Sequence, residues 1–375
     1  MYEYQCLSLF YHPLSGPHLL SISRPWPAKY TELPASTSII EQQYLFIPSP
    51  STMPPTLITL EEHFLSIACG DSLNALYSEQ FKAIPGLEDQ LKDLGSLRLS
   101  YMDKGAVSLQ VISHGPGKMG PKECGQTNDQ LAAAINEHQT RFAGFAALPM
   151  ADPQAAAEEL ERTVKEHGFV GALIDCHVDG AYFDDKAYLA FWRKAEELDV
   201  PIYIHPTFPS EDMSPRYKGN FTVGAGKSLS TSGWGWHNET ALSTMRLYAA
   251  GVFDACPKLK IIVGHFGEMM PFMLGRINKL SVRWGDMHRK WQQVYDENLW
   301  ITTSGVWSLD PMRCILANTK VDHILYSVDY PFEKNENGLA WWEEFEKSGL
   351  ASNEQLDMIA HKNAEKLLRI KAPQR

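Results

Sequence analysis

Basic residues are the scarcer charge in this 375-residue sequence: 34 Lys and Arg stand against 45 Asp and Glu, a formal net charge of -11. A nucleic-acid or anionic-membrane surface requires clustered cations, so neither partner is expected and a small molecule is. No run of about 18 or more apolar residues exists to cross a membrane. The N-terminus lacks a basic segment, and His12 and Pro13 interrupt its one apolar stretch, so no secretory signal is expected. Only 6 cysteines occur, with no C-x-x-C pair, the pattern of thiols in a reducing compartment. A cytoplasmic location follows as the expectation. A glycine-rich dinucleotide motif after a strand is also missing, and "GAGKS" at 224–228 fails as a phosphate loop because Phe221 stands where its first glycine is needed.

What is present divides the chain in two. Residues 1–55 are rich in Pro, Ser and Tyr, show no sustained period and end in "PSPSTMPP", which reads as an irregular extension outside the core. From residue 56 to 375 short β-branched runs alternate with stretches of helical periodicity. Eight such runs are expected as strands, at 56–63, 106–114, 142–149, 169–177, 201–206, 259–267, 299–305 and 323–331, with helices expected at 128–139, 153–168 and 184–199 among the segments between them. Eight strands alternating with helices define an α/β chain folded as a (β/α)8 TIM barrel.

A barrel of this kind builds its active site at the C-terminal ends of the strands. Those ends carry the residue types that are hardest to bury: Glu61 and His63 after the first run, His205 after the fifth, His265 and Glu268 after the sixth, Asp329 after the eighth. Alternation along a strand sends Glu61 and His63 to one side and Glu62 to the other, where it is expected as a salt-bridge partner between barrel and helices. Uncompensated, such groups would cost several kcal/mol each. One divalent metal ion held by Glu61, His63, His205 and Asp329 resolves that cost, and a set of two oxygens and two nitrogens suits Zn or Mn, with Mg also open. The connection after the fifth run, which carries Trp234, Trp236 and His237, is too long and Gly-rich for a minimal turn and is expected to cover part of the pocket.

The segments "LEEHF", "YIHPTFP", "GHFGEMMPFMLGRI" and "YSVDYPFE" together resemble the metal-dependent decarboxylases of the amidohydrolase superfamily. The likeness is to the salicylate, γ-resorcylate and 2,3-dihydroxybenzoate decarboxylase branch, related to aminocarboxymuconate-semialdehyde decarboxylase, and it runs over residues 56–370. Members of the superfamily commonly open with H-x-H on strand one; Glu61-Glu62-His63 matches the E-x-H of this branch. The resemblance implies Glu61, His63, His205 and Asp329 as metal ligands and His265 with Glu268 as a relay beside Asp329. It also implies Arg276 as a substrate-holding residue that can serve a neighbouring subunit, Phe332 as a pocket aromatic, and a homodimer or homotetramer. Asp175 departs from the Asn found in many relatives.

The chemistry implied is non-oxidative decarboxylation of an ortho-hydroxybenzoic acid. Many decarboxylases need an organic electron sink, and no motif for one is present. A hydroxybenzoate protonated at the ring carbon bearing its carboxylate makes its own sink, so a metal ion and a proton donor suffice. Asp329, tuned by His265 and Glu268, is the expected donor, with His265 as the alternative. A metal-dependent amide or lactone hydrolase and a catalytically silent interaction barrel are the competing readings.

Overall fold

The computed structural model describes residues 55–70 and 75–373. The expected extension, residues 1–55, therefore lies outside the described residues but for its last one.

All eight runs form strands, and every pairing is parallel. They are β1 (Leu57–Phe64), β2 (Val107–His114), β3 (Phe142–Gly144), β4 (Ala172–Asp175), β5 (Pro201–His205), β6 (Lys260–Val263), β7 (Leu299–Thr302) and β8 (Ile324–Leu325). The ladders run β1-β2-β3 and β4-β5-β6-β7-β8. Two seams complete the (β/α)8 TIM barrel. Between β3 and β4 a bridge pairs Ala146 with Ala172, and Ala146 N donates to Gly171 O at 2.9 Å. Between β8 and β1, His63 N donates to Tyr330 O at 2.7 Å.

Each strand is followed by a covering helix: α1 (Ser96–Lys104), α2 (Pro121–Glu137), α3 (Pro153–His167), α4 (Leu189–Leu198), α5 (Gly235–Ala249), α6 (Met270–Ser281), α7 (Leu309–Asn318) and α8 (Asn335–Ser348). Local chemistry sets their ends. Asp152 accepts from the N–H groups of Gln154 and Ala155 to start α3, and Gly168 in the left-handed region stops it. Helix α2 begins well before the expected residue 128, because Pro121 occupies its first turn and its early buried positions are Cys124, Thr127 and Asn128, too polar to register as a hydrophobic stripe. Among the described residues no helix is long and apolar enough to cross a membrane.

Ile58, Leu60, Leu109, Val111, Phe145, Leu173, Tyr203, Ile262 and Leu325 share one apolar cluster, while Ile202, Ile204, Ile261, Val263 and Ile301 join the helices in another. Strand β1 changes phase between these layers. Thr59 pairs with Gln110 and Glu62 with Ile112, so Leu60 and Glu61 together oppose a single residue, Val111. This is a β-bulge. The hydroxyl of Ser327 stabilises it by accepting both adjacent backbone N–H groups, from Leu60 at 3.0 Å and Glu61 at 2.8 Å. Without the extra residue, strict alternation from Ile58 and Leu60 would have turned Glu62, not Glu61 and His63, into the barrel.

Candidate metal and catalytic site

The bulge aims Glu61 and His63 at the mouth of the barrel, where His205 ends β5 and Asp329 follows β8 with φ of 75°, a left-handed conformation that aspartate tolerates better than most residues. Glu61, His63, His205 and Asp329 each offer a ligand atom within 4.8 Å of the others. His205 Nε2 lies 3.1 Å from Glu61 Oε1, and His63 Nε2 lies 3.2 Å from Asp329 Oδ1. Although these contacts are close, Glu61 Oε1, His63 Nε2 and Asp329 Oδ1 are buried without an aligned hydrogen bond. His205 Nδ1 lies 2.6 Å from Pro206 O, a contact it makes as a donor, which leaves Nε2 as a lone pair facing the cluster. Convergent unsatisfied oxygens and a ring nitrogen fixed as an acceptor are what a divalent cation fits.

The cluster is braced from below. The Tyr203 hydroxyl donates to Glu61 Oε2 and stands 2.8 Å from the Thr302 hydroxyl, which is 2.7 Å from that of Ser304. Burial opposes the charge on Glu61, but the His265, His205 and His63 rings hold it well below the usual carboxylate range. Burial lowers His63, whereas the Glu61 carboxylate raises His205 against its own burial.

Glu62 corrects its expected role. It is fully buried, and instead of pairing with a helix cation it accepts from the backbone N–H of Val328 at 3.2 Å and of Tyr330 at 3.1 Å, the two residues flanking Asp329. Ser327 Oγ and Gln110 Nε2 also reach it at 3.2 Å each. Burial pushes Glu62 up to about 8. The segment after β8 is thereby held by side chains where no ladder exists, which is why the strand expected at 323–331 is two residues long. Arg98, also fully buried, donates to His63 O at 2.6 Å and lies 4.9 Å over the Tyr330 ring.

After β6 the chain makes a left-handed turn, with φ of 48° at His265, 56° at Phe266, 85° at Gly267, 52° at Glu268 and 64° at Met269. Non-glycine residues resist this region by about 1–2 kcal/mol each. The turn brings Glu268 back onto the ring of its neighbour: His265 Nδ1 is 2.8 Å from Glu268 Oε1, while His265 Nε2 faces Glu61 and Asp329 at 3.9 Å each. Burial disfavours the charged ring, but Glu61 and Glu268 raise His265 well above its ordinary value. Glu268 is brought down to about 2 against its burial, by His265 and then His237, whose Nδ1 lies 2.7 Å from Glu268 Oε2.

An aromatic wall flanks the cluster. The Phe332 ring lies 5.7 Å from that of His63 and stacks on Tyr77 at 6.2 Å; Tyr77 meets Phe208, and Phe208 meets Trp236 at 5.6 Å. Trp234 is exposed. The connection after β5 is not a bare loop, since it contains a helix at Val223–Ser230 that absorbs the "GAGKS" segment. Arg276 is exposed on α6 and is not among the residues of the Glu61, His63, His205 and Asp329 cluster. Sequence reasoning missed Tyr77, Arg98, Tyr203 and Ser327. Ser327, inside "YSVDYP", offered the one local signal, a hydroxyl in a run otherwise apolar before the aspartate.

Residues 94–370 match the model of a family described as Amidohydrolase. Decarboxylase orsB of Emericella nidulans is 53% identical over 325 residues, covering 85% of this chain and 98% of that protein. Among solved structures, a 2,6-dihydroxybenzoate decarboxylase complexed with 2,6-dihydroxybenzoate superposes with a TM-score of 0.75 at 31% identity, covering 84% of this chain and 100% of the other. A dihydroxybenzoic acid decarboxylase from Polaromonas sp. JS666, with bound manganese and the inhibitor 2-nitroresorcinol, gives a TM-score of 0.74 at 32% identity over 84% of this chain and 97% of its own.

Proposed function

From the premise that the chain belongs to the amidohydrolase family, we propose that it is a metal-dependent carboxy-lyase converting an ortho-hydroxybenzoic acid to the phenol and CO2. The observation that carries this is the meeting of Glu61, His63, His205 and Asp329 at one point, with buried atoms left facing each other. Glu61, His63, His205 and Asp329 would hold a divalent ion, Mn or Zn, which would supply positive charge to an acidic substrate; holding a reactant in one orientation is worth ~7–11 kcal/mol of a barrier.

The chain's own residues supply the proton. Asp329 delivers it to the ring carbon that bears the carboxylate; the C–C bond then breaks, its electrons restore aromaticity, and CO2 departs. His265, hydrogen-bonded to Glu268 on one side and facing Asp329 on the other, returns a proton to Asp329 between turnovers. Phe332 and Trp236 belong to the wall against which the ring rests. Arg276 serves the site of a neighbouring copy in a homodimer or homotetramer, a role supported by its exposure on α6 one turn from Phe272, which is 83% exposed. The catalytic domain is 56–375, and a cytoplasmic setting fits the fact that no disulfide joins the described cysteines.

The test is purified chain loaded with Mn or Zn and offered a panel of hydroxybenzoates, amides and lactones. CO2 release with stoichiometric phenol from 2-hydroxylated acids is expected. Amide or lactone turnover without CO2 release would replace the reading with a hydrolase.

A further inference from the structure

Resting on the decarboxylase reading, we propose that His237 is a positioning residue of the reaction: it acts through Glu268 on His265, and does not contact the substrate. Glu268 is a buried carboxylate with one imidazole on each oxygen, His265 Nδ1 at 2.8 Å and His237 Nδ1 at 2.7 Å, and the two rings meet edge to face with centroids 4.7 Å apart. The other nitrogen of His237 is 3.0 Å from the carbonyl oxygen of Ser232. Each ring nitrogen thus faces an acceptor, the arrangement of an imidazole that donates from both sides. With both nitrogens engaged in this way, His237 has no polar atom left for a substrate.

Three consequences follow from the placement of this ring. Glu268 sits in a left-handed turn whose backbone favours other conformations, so the orientation of its carboxylate depends on side-chain partners. With Oε2 held by His237, Oε1 is aimed at His265 Nδ1, and His265 Nε2 in turn points between Glu61 and Asp329. Ser232 belongs to the long connection between β5 and α5, so the same ring joins that connection to the proton-transfer chain. His237, His265 and Glu268 also form a group able to ligate a cation. Hydrogen-bond separations from both Nδ1 atoms to different oxygens argue instead for N–H donors, which leave no lone pair for an ion there.

The test compares His237→Ala, His237→Asn and His237→Gln in the full chain loaded with Zn. Asparagine places an amide nitrogen close to Nδ1 and keeps the donor to Glu268 but not the tie to Ser232; glutamine reaches toward the Nε2 position instead. Loss of an outer hydrogen-bond partner typically costs 10–100-fold. The expectation is a fall in kcat of that size for His237→Ala and His237→Gln with substrate KM unchanged, recovery to within a few-fold in His237→Asn, and one Zn per chain throughout. Proton NMR should show two low-field imidazole N–H signals in the wild-type chain that both disappear in Glu268→Gln, with one surviving in His237→Asn. The proposal is overturned if the loss falls on KM, if asparagine is no better than alanine, if the second N–H signal is missing, or if a second Zn is present that His237→Ala removes. A wild-type chain that shows both signals yet releases no CO2 sinks the decarboxylase reading and leaves the hydrogen-bonded chain standing.

Discussion

Gly264→Ala isolates how tightly Glu61, the carboxylate proposed to hold the metal ion, is confined. Gly264 has φ of -78° and ψ of -171°, accessible to any residue, so the substitution adds no backbone strain. What it adds is a methyl group whose carbon would lie 2.7 Å from Glu61 Oε2, 3.1 Å from Glu61 Oε1 and 2.9 Å from the Tyr203 hydroxyl. Ordinary contact begins near 3.4 Å, so the nearest oxygen must withdraw by about 0.7 Å. Tyr203 cannot move aside, because it is fully buried in the cluster containing Ile58, Leu60 and Ile262. The carboxylate yields instead. Overpacking of this kind costs about 1–3 kcal/mol, and displacing a metal ligand from its supporting partner lowers affinity by about 10–100-fold, equivalent to about 1.4–2.8 kcal/mol. Competition with a chelating dye should show Mn affinity reduced by that factor. Thermal unfolding should show a lower Tm in EDTA and a smaller gain on adding Mn. If affinity stays within twofold and Tm is unchanged, Glu61 is not held where the bulge and Tyr203 place it, and the account of the site is wrong.

Four further outcomes are expected. Tyr203→Phe removes the hydroxyl from Glu61 Oε2 and should weaken Mn binding by about 1–3 kcal/mol, read by the same competition assay, with little change in packing. Asp329→Asn should lower kcat by about 10²–10⁴, the usual worth of a general acid, while circular dichroism shows a folded chain; near-normal turnover would remove Asp329 from the proton-donating role. Arg276→Ala should raise KM, and mixing it with Asp329→Asn subunits should restore a fraction of activity if the arginine crosses between copies; additive inactivity would place it elsewhere. Removal of residues 1–52 should leave kcat/KM unchanged, and failure to fold would contradict the assignment of the catalytic domain.

The comparison of sequence with structure turns on what is local. A β-branched run that ends in Glu, His or Asp identifies both a strand and the end of it that carries polar groups, because residue type and burial preference are properties of adjacent residues. Hence the eight strands, the (β/α)8 barrel and the set Glu61, His63, His205, His265, Glu268 and Asp329 were legible in the chain itself. Helix α3 was legible for the same reason, since Asp152 and Gly168 mark its ends within the segment.

Tertiary structure alone decided how these groups meet. The phase of β1 depends on Ser327, 267 residues away, whose hydroxyl takes two successive N–H groups and makes the bulge. Glu62 sits next to Glu61, a proposed metal ligand, yet its partners are backbone amides around Asp329, and no spacing rule pairs positions 62 and 330. Likewise nothing near His237 announces that it shares Glu268 with His265, a contact made by the fold of the β5–α5 connection and a left-handed turn. Residue types are fixed by the chain, but hydrogen bonds between distant segments are chosen by geometry that exists only once the barrel has closed.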